Sequence, residues 1–171
     1  DSEFPNYILS GRKISSGKVT TLSEYSIVSE NRLTKVPPDT PPELCAMLGC
    51  SLTTALGVID NECDLKFGET VSIIGCGGVG LNLIQAAAMK GASSIIAVDI
   101  NKNKEKLCEE LGATDFSEKL KSKSDIIIDT TGLAPVIAQA LSNLSENGRM
   151  ILVGQPPPET TAEIPNISSL F

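Results

Sequence analysis

From residue 69 onward, short apolar runs alternate with stretches of helical periodicity. The run Thr70 to Gly75 (TVSIIG) is nearly all apolar, as in a strand buried on both faces of a parallel sheet. An alanine-rich stretch follows and predicts a helix over 79–90, with Gly91 as its stop. Ser94 to Asp99 (SIIAVD) predicts a second strand. Residues 102–111 predict a second helix, with Leu107 and Leu111 on one face and Gly112 ending it. A short third strand over 113–116, a fourth over 125–129, a helix over 135–144 and a fifth strand over 149–154 complete the alternation. This order predicts an α/β fold, a Rossmann doubly wound parallel sheet with right-handed crossovers.

Upstream the pattern is of another kind. Residues 1–36 read as β-rich, with apolar runs at Tyr25, Ile27 and Val28 and at Leu33 to Val36, separated by turn-forming Ser29-Glu30-Asn31. So short a segment cannot bury a core alone, and it is expected to belong to, or pack on, a neighbouring domain. Thr40 and Glu43 then take the spacing of a capping box, and Pro41 suits a first helical position. They predict a helix running to about Ile59. Gly49 and Gly57 predict a break or close packing within it. The expected division is residues 1–38 and residues 39–171.

Composition narrows the function. The formal charge is −7, aromatic residues make up 4%, and no basic patch carries interleaved aromatics, so no nucleic-acid partner is expected. No apolar run approaches the roughly 20 residues that span a bilayer. The first residues lack the basic start and apolar stretch of a signal peptide. A soluble, cytoplasmic protein with no membrane partner is the expectation. Five scattered cysteines (Cys45, Cys50, Cys63, Cys76 and Cys108) without a C-x-x-C pair suit a reducing compartment rather than a disulfide framework. The chain contains no histidine. By itself it can form no Ser-His-Asp triad, histidine proton relay or His-containing metal site.

The chemistry concentrates in Ile74-Gly75-Cys76-Gly77-Gly78-Val79-Gly80. A lone G-x-G-x-x-G is weak, but this one follows a buried strand and opens a helix, the context that dinucleotide binding requires. Gly75 allows the tight turn, Gly77 lacks the Cβ that would block a pyrophosphate, and Gly80 lets the helix lie close to the strand. The helix start offers unpaired N–H groups and a partial positive charge to phosphates. Asp99 closes the second strand about 20 residues later, where a carboxylate accepts hydrogen bonds from both hydroxyls of an adenosine ribose and repels a 2′-phosphate. No arginine follows to receive that phosphate, since Ile100-Asn101 come next, so NAD is expected over NADP. A methyltransferase uses a similar turn and acid. The x-x-G spacing after Gly77, with Val79 inside it, suits a dinucleotide better.

Gly49-Cys50-Ser51-Leu52-Thr53-Thr54-Ala55-Leu56-Gly57, with GETVSIIGCGGVGLNLIQAAAMKGASSIIAVDINKNK over residues 68–104, closely resembles the zinc-containing medium-chain alcohol dehydrogenases. The preceding TLSEYSIVSENRLTKVP (residues 21–37) resembles the last strands of that family's GroES-like catalytic domain. The resemblance runs from about Gly17 to Pro157 and implies a role for each matching position. Cys50 corresponds to a catalytic-zinc ligand and Thr54 to a threonine beside the nicotinamide. Gly77, Gly78 and Val79 match the pyrophosphate turn, with Gly75 and Gly80 framing it. Asp99 and Lys104 match the adenosine-ribose contacts. Thr130 and Thr131 match positions lining the adenine and ribose side, and Val153, Gly154 and Gln155 match positions touching nicotinamide. The implied function is the NAD-binding domain of a homo-oligomeric, zinc-dependent alcohol dehydrogenase, which transfers hydride between an alcohol or aldehyde substrate and NAD.

The departures shape the expectation as much. The family's first zinc cysteine and histidine, the four cysteines of its structural zinc lobe and its proton-passing serine or threonine have no match here. The chain is expected to stop before the family's sixth strand, leaving the run Met150 to Val153 on an open edge. Only about eight residues, from Ser117 to Ser124, bridge strands three and four, so the usual helix there is expected to be lost or reduced to a turn. One thiolate cannot hold zinc tightly. The chain alone is therefore expected to bind NAD without oxidising an alcohol. Two other readings stay open: an NAD(H)-sensing or regulatory module without catalysis, and a zinc-free quinone-reductase-like relative, against which Gly49-Cys50-Ser51 speaks.

Overall fold

A computed structural model describes residues 6–15 and 24–163. The chain divides into two compact units, residues 1–41 and 42–171. In the first, β1 (Asn6–Leu9) and β2 (Arg12–Ser15) pair antiparallel. Ser10 and Gly11 join them, both at positive φ, as a two-residue hairpin turn demands. The strands expected at Tyr25–Val28 and Leu33–Val36 are not formed. The backbone is extended at Ser29 and Leu33, but no strand pairs with it among the described residues, and Glu30–Arg32 close into a 3-10 turn. An apolar run supplies a face; a strand also needs a ladder.

The second unit opens with a 21-residue helix, α1 (Pro42–Glu62), which starts one residue later than expected. It is α-helical over Pro42–Met47 and Thr53–Gly57 and widens into π turns over Leu48–Leu52 and Val58–Glu62. The irregularity expected at Gly49 and Gly57 takes this form rather than a break. With a mean hydropathy of 1.5 over its best window, α1 is long and apolar enough to cross a membrane by length and composition, contrary to the sequence expectation. Its glycines, serine and threonines interrupt the apolar run, while the apolar residues between them keep the average high. Ala55, Val58 and Ile59 carry its second half into the core.

Five strands follow: β3 (Thr70–Ile74), β4 (Ser94–Val98), β5 (Asp115–Ser117), β6 (Ser124–Asp129) and β7 (Leu144–Leu152). They form one parallel sheet in the order β5-β4-β3-β6-β7. α2 (Gly78–Lys90), α3 (Glu105–Glu110) and α4 (Ala134–Leu141) connect them. Alternate side chains serve opposite faces. Val71, Ile73, Ile95, Ala97, Ile126 and Ile128 join the core shared with α1 and α2. Ile74, Ile96, Val98 and Ile127 join Ala140 of α4 on the other face. The winding reverses between β3 and β6, and a crevice at such a switch point is where ligands bind in open α/β sheets.

Several boundaries moved, among them β5, which runs Asp115–Ser117 rather than 113–116. α4 ends at Leu141 and β7 begins at Leu144, because Ser145 to Gly148 are absorbed as a bulge between the pairs Ser124↔Leu144 and Ile126↔Arg149. Asn147 sits there at φ 61°, so the turn-forming composition concealed a strand that resumes beyond it. The helix expected over 102–111 is a 3-10 turn, Lys102–Lys104, followed by α3.

Residues 118–123 contain no helix. From the strand registers, Ser117 and Ser124 lie three strand spacings apart across the sheet and about five residues apart along it, roughly 22 Å on ideal dimensions. The intervening chain spans about 25 Å at most. A helix advances only about 1.5 Å per residue and could not reach. The crossing is extended, with Leu120 buried against Ile127 and Ala140.

Candidate functional site

β3 ends at Ile74 and the chain turns at Gly75, whose φ of +90° suits glycine alone. Gly77, extended at φ −85°, caps α2, and its carbonyl accepts from Leu81 N at 2.9 Å. The motif glycines serve different ends. A Cβ on Gly80 would drive into the Gly75 carbonyl oxygen, so Gly80 is required by packing. A Cβ on Gly77 would meet nothing within 4 Å. The fold does not need that vacancy; it leaves the space before the helix start open. Gly78 is exposed, and Val79 turns back onto the core.

Asp99 follows β4 and is 8% exposed. Its Oδ2 accepts from the Cys76 backbone N at 2.8 Å and from Lys104 Nζ at 2.7 Å, and its Oδ1 accepts from Asn101 N at 2.9 Å. Burial raises the pKa of this carboxyl. The Lys104 hydrogen bond, the Asn101 and Cys76 N–H groups and the Lys104 charge outweigh burial and hold it below the usual carboxylate value. The phosphate turn, Asp99 and Lys104 thus form one hydrogen-bonded unit.

The loop after β6 closes on the same turn. Thr130 Oγ1 reaches Ile74 O and Gly75 O at 3.0 and 2.8 Å. Fully buried Asp129 holds the rest of the loop: its carboxylate accepts from Thr131 Oγ1 at 2.6 Å and from Gly132 N at 2.8 Å. Its backbone carbonyl accepts from Val153 N and Gly154 N at 2.8 and 3.0 Å. Gly154 packs so closely that its Cβ would lie 2.6 Å from Thr130 C. Gly75, Thr130, Thr131, Val153 and Gly154 are therefore brought together, while Gln155 is exposed and Thr54 is half-buried on α1.

Cys50 is exposed on the first π turn of α1. Its neighbour Ser51 accepts from Asn82 Nδ2 at 2.9 Å, and the same amide group donates to Gly78 O at 2.8 Å, which ties this turn to the start of α2. Among the described residues, no three His, Cys, Asp or Glu side chains gather as a metal-holding group. The residues present do not make a zinc site. Nor do the buried thiols offer a nucleophile: burial pushes Cys63 up to about 12 and raises Cys76 and Cys108 as well.

A cavity of about 260 Å³ opens at the C-terminal ends of the strands. Gly75, Asp99 and Thr131 line it, as do Ile100, Leu133 and Leu120. The last three escaped the sequence reading. Ile100 carried a signal, an apolar residue just outside a predicted strand and beside an acid, and in the structure it is 89% exposed. Leu120 and Leu133 carried none, because their places depend on the extended crossing and on the loop after β6.

Three comparisons bear on identity. The sequence profile of the zinc-binding dehydrogenases matches residues 78–170. An S-(hydroxymethyl)glutathione dehydrogenase of Saccharomyces cerevisiae is 37% identical over 129 residues, covering 75% of this chain and 31% of the relative. The crystal structure of benzyl alcohol dehydrogenase from Acinetobacter calcoaceticus superposes with a TM-score of 0.80 at 30% identity, covering 89% of this chain and 45% of that one. A putative zinc-binding dehydrogenase from Sinorhizobium meliloti, solved with NADP, gives 0.70 at 25% identity, covering 80% and 44%. The chain spans about a third of the yeast relative and under half of both solved enzymes. With its parallel sheet and glycine turn, the chain belongs to the zinc-binding dehydrogenases, the zinc-dependent medium-chain alcohol dehydrogenase family.

Proposed function

We propose that the second unit binds NAD(H) across the C-terminal crevice, and that in the whole protein this serves hydride transfer between an alcohol or aldehyde and NAD. The observation that carries the reading is the bond from Cys76 N to Asp99 Oδ2, which joins a phosphate turn to a ribose acid in one unit. The residues fit the cofactor. The space before Gly77 admits a pyrophosphate, and the cavity flanked by Ile100 and Leu133 admits an adenine.

Asp99 already accepts three hydrogen bonds, of the roughly four that a carboxylate can take. One ribose hydroxyl donates to the remaining position on Oδ1, and the other accepts from Lys104, whose ammonium has protons to spare. This refines the expectation that Asp99 serves both hydroxyls. The Sinorhizobium relative carries NADP. Here the buried carboxylate and the apolar Ile100 that follows it favour NAD.

Bound NAD supplies a hydride acceptor at its nicotinamide ring. By the family resemblance Thr54, Val153, Gly154 and Gln155 would face that ring, and Cys50 falls at a zinc-ligand position that alone does not make a metal site. The other ligands, the proton path and the substrate pocket are assigned to the remainder of the protein. The name of the yeast relative makes a formaldehyde–thiol adduct one substrate class, beside simple primary alcohols. The five free thiols favour a cytoplasmic setting.

Titration of nicotinamide fluorescence with NADH and NADPH tests the reading. Saturable NADH binding, with NADPH about tenfold weaker or more, is expected. Absent NADH binding, or preferential binding of S-adenosylmethionine, overturns it.

A further inference from the structure

Thr130 leaves β6 and meets the underside of the phosphate turn. Its backbone N donates to Ile74 O at 2.9 Å, and its hydroxyl faces both Ile74 O and Gly75 O. A hydroxyl has one proton to donate, so the two carbonyls share it. The Gly75 oxygen is also the atom against which Gly80 packs. It is thus held from one side by Thr130 and from the other by the first turn of α2.

Gly75 has no side chain to anchor it, and its peptide with Cys76 is held at the N–H by Asp99 and at the carbonyl by Thr130. Rotation there would turn the N–H groups that follow, beginning with that of Cys76. Thr130 does not line the cavity, whereas Thr131 does.

We propose that Thr130 is a positioning residue of the phosphate turn: its hydroxyl, together with the Cys76 N–H bond to Asp99, fixes the Gly75–Cys76 peptide and so aims the N–H groups of Gly77 and Gly78 at the pyrophosphate. This rests on the NAD(H) reading above. The role differs from the adenine-side contact that the resemblance implies, and it requires a hydroxyl rather than a shape.

Two variants separate hydroxyl from shape. Thr130→Val keeps the size and loses the hydroxyl; Thr130→Ser keeps the hydroxyl and loses the methyl. NADH affinity by fluorescence, adenosine affinity by competition and thermal midpoints without ligand are measured for each. Thr130→Val is expected to bind NADH about tenfold more weakly, with a clearly smaller loss of adenosine affinity, and Thr130→Ser to stay within about threefold of wild type. Should Thr130→Val not fold, Thr130→Ala is compared with Thr130→Ser under the same expectation.

Equal NADH affinity in Thr130→Val and wild type overturns the inference alone. So does a Thr130→Ser as weak as Thr130→Val, or an equal loss of adenosine binding. A wild-type chain that binds no NADH overturns the reading of the site, and this inference with it.

Discussion

The backbone N–H of Cys76 donates to the side chain of Asp99 across 23 positions of sequence, at 2.8 Å. The acid that meets the ribose is thereby also a brace for the turn that meets the phosphates. Replacing it should harm both functions. Asp99→Asn is expected to lower NADH affinity about tenfold or more and to bring the affinities for NADH and NADPH closer together. Parallel fluorescence titrations check this, and an unchanged ratio would refute the assignment.

The same contacts set the pH response. The Asp99 pKa is lower in the folded chain than in the unfolded one, because Lys104 and two N–H groups outweigh burial. The stabilisation is therefore complete above the unfolded value of about 3.9 and is lost as pH falls through the lower folded value. With no histidine in the chain, NADH affinity should be flat from about pH 8 to about pH 5.5. It should fall only in the acid range. A binding midpoint near pH 6.5 would contradict this.

Gly77 and Gly80 belong to one motif and should fail differently. Gly80→Ala forces a Cβ into the Gly75 carbonyl and is expected to cost about 3 kcal/mol of stability. Gly77→Ala meets open space and should change stability by less than about 0.5 kcal/mol. It should nevertheless weaken NADH binding strongly, because its methyl occupies the approach of the pyrophosphate. Denaturant melts and titrations on both variants decide.

β7 is an edge of the sheet among the described residues, and Leu152 on it is 56% exposed. Unpaired backbone beside apolar side chains favours strand pairing between copies. Concentration-dependent association is expected in sedimentation, shifting toward monomer in Leu152→Lys. A monomer at every concentration would count against a homo-oligomer built on this edge.

The central sheet was readable because its strands are buried on both faces and therefore appear as continuous apolar runs. Val71 to Ile74 and Ile126 to Ile128 could hardly be taken for anything else. The glycine turn was readable for a related reason: Gly75 and Gly80 are demanded by backbone geometry. Near Tyr25 and Leu33 no strand is formed among the described residues, because strand formation depends on a ladder that local sequence does not specify. β7 was misplaced because Ser145 to Gly148 look like a loop when only their types are considered. Within the site, Asp99 and Lys104 could be named from spacing. The double use of Thr130 Oγ1, and the anchoring of Thr131, Gly132, Val153 and Gly154 by Asp129, depend on strands that meet only in three dimensions.

The crossing from Ser117 to Ser124 behaves mechanically as a tie rather than a loop. Surface connections usually tolerate length changes because they hold slack; this one has almost none. Removing a single residue from 118–123 would have to be answered by pulling β5 off the sheet or lifting Leu120 out of its seat. Adding residues should cost far less. A segment without helix or strand is thus among those least able to shorten, and the cavity wall it forms beside Asp99 is pinned at each end by a strand of the sheet.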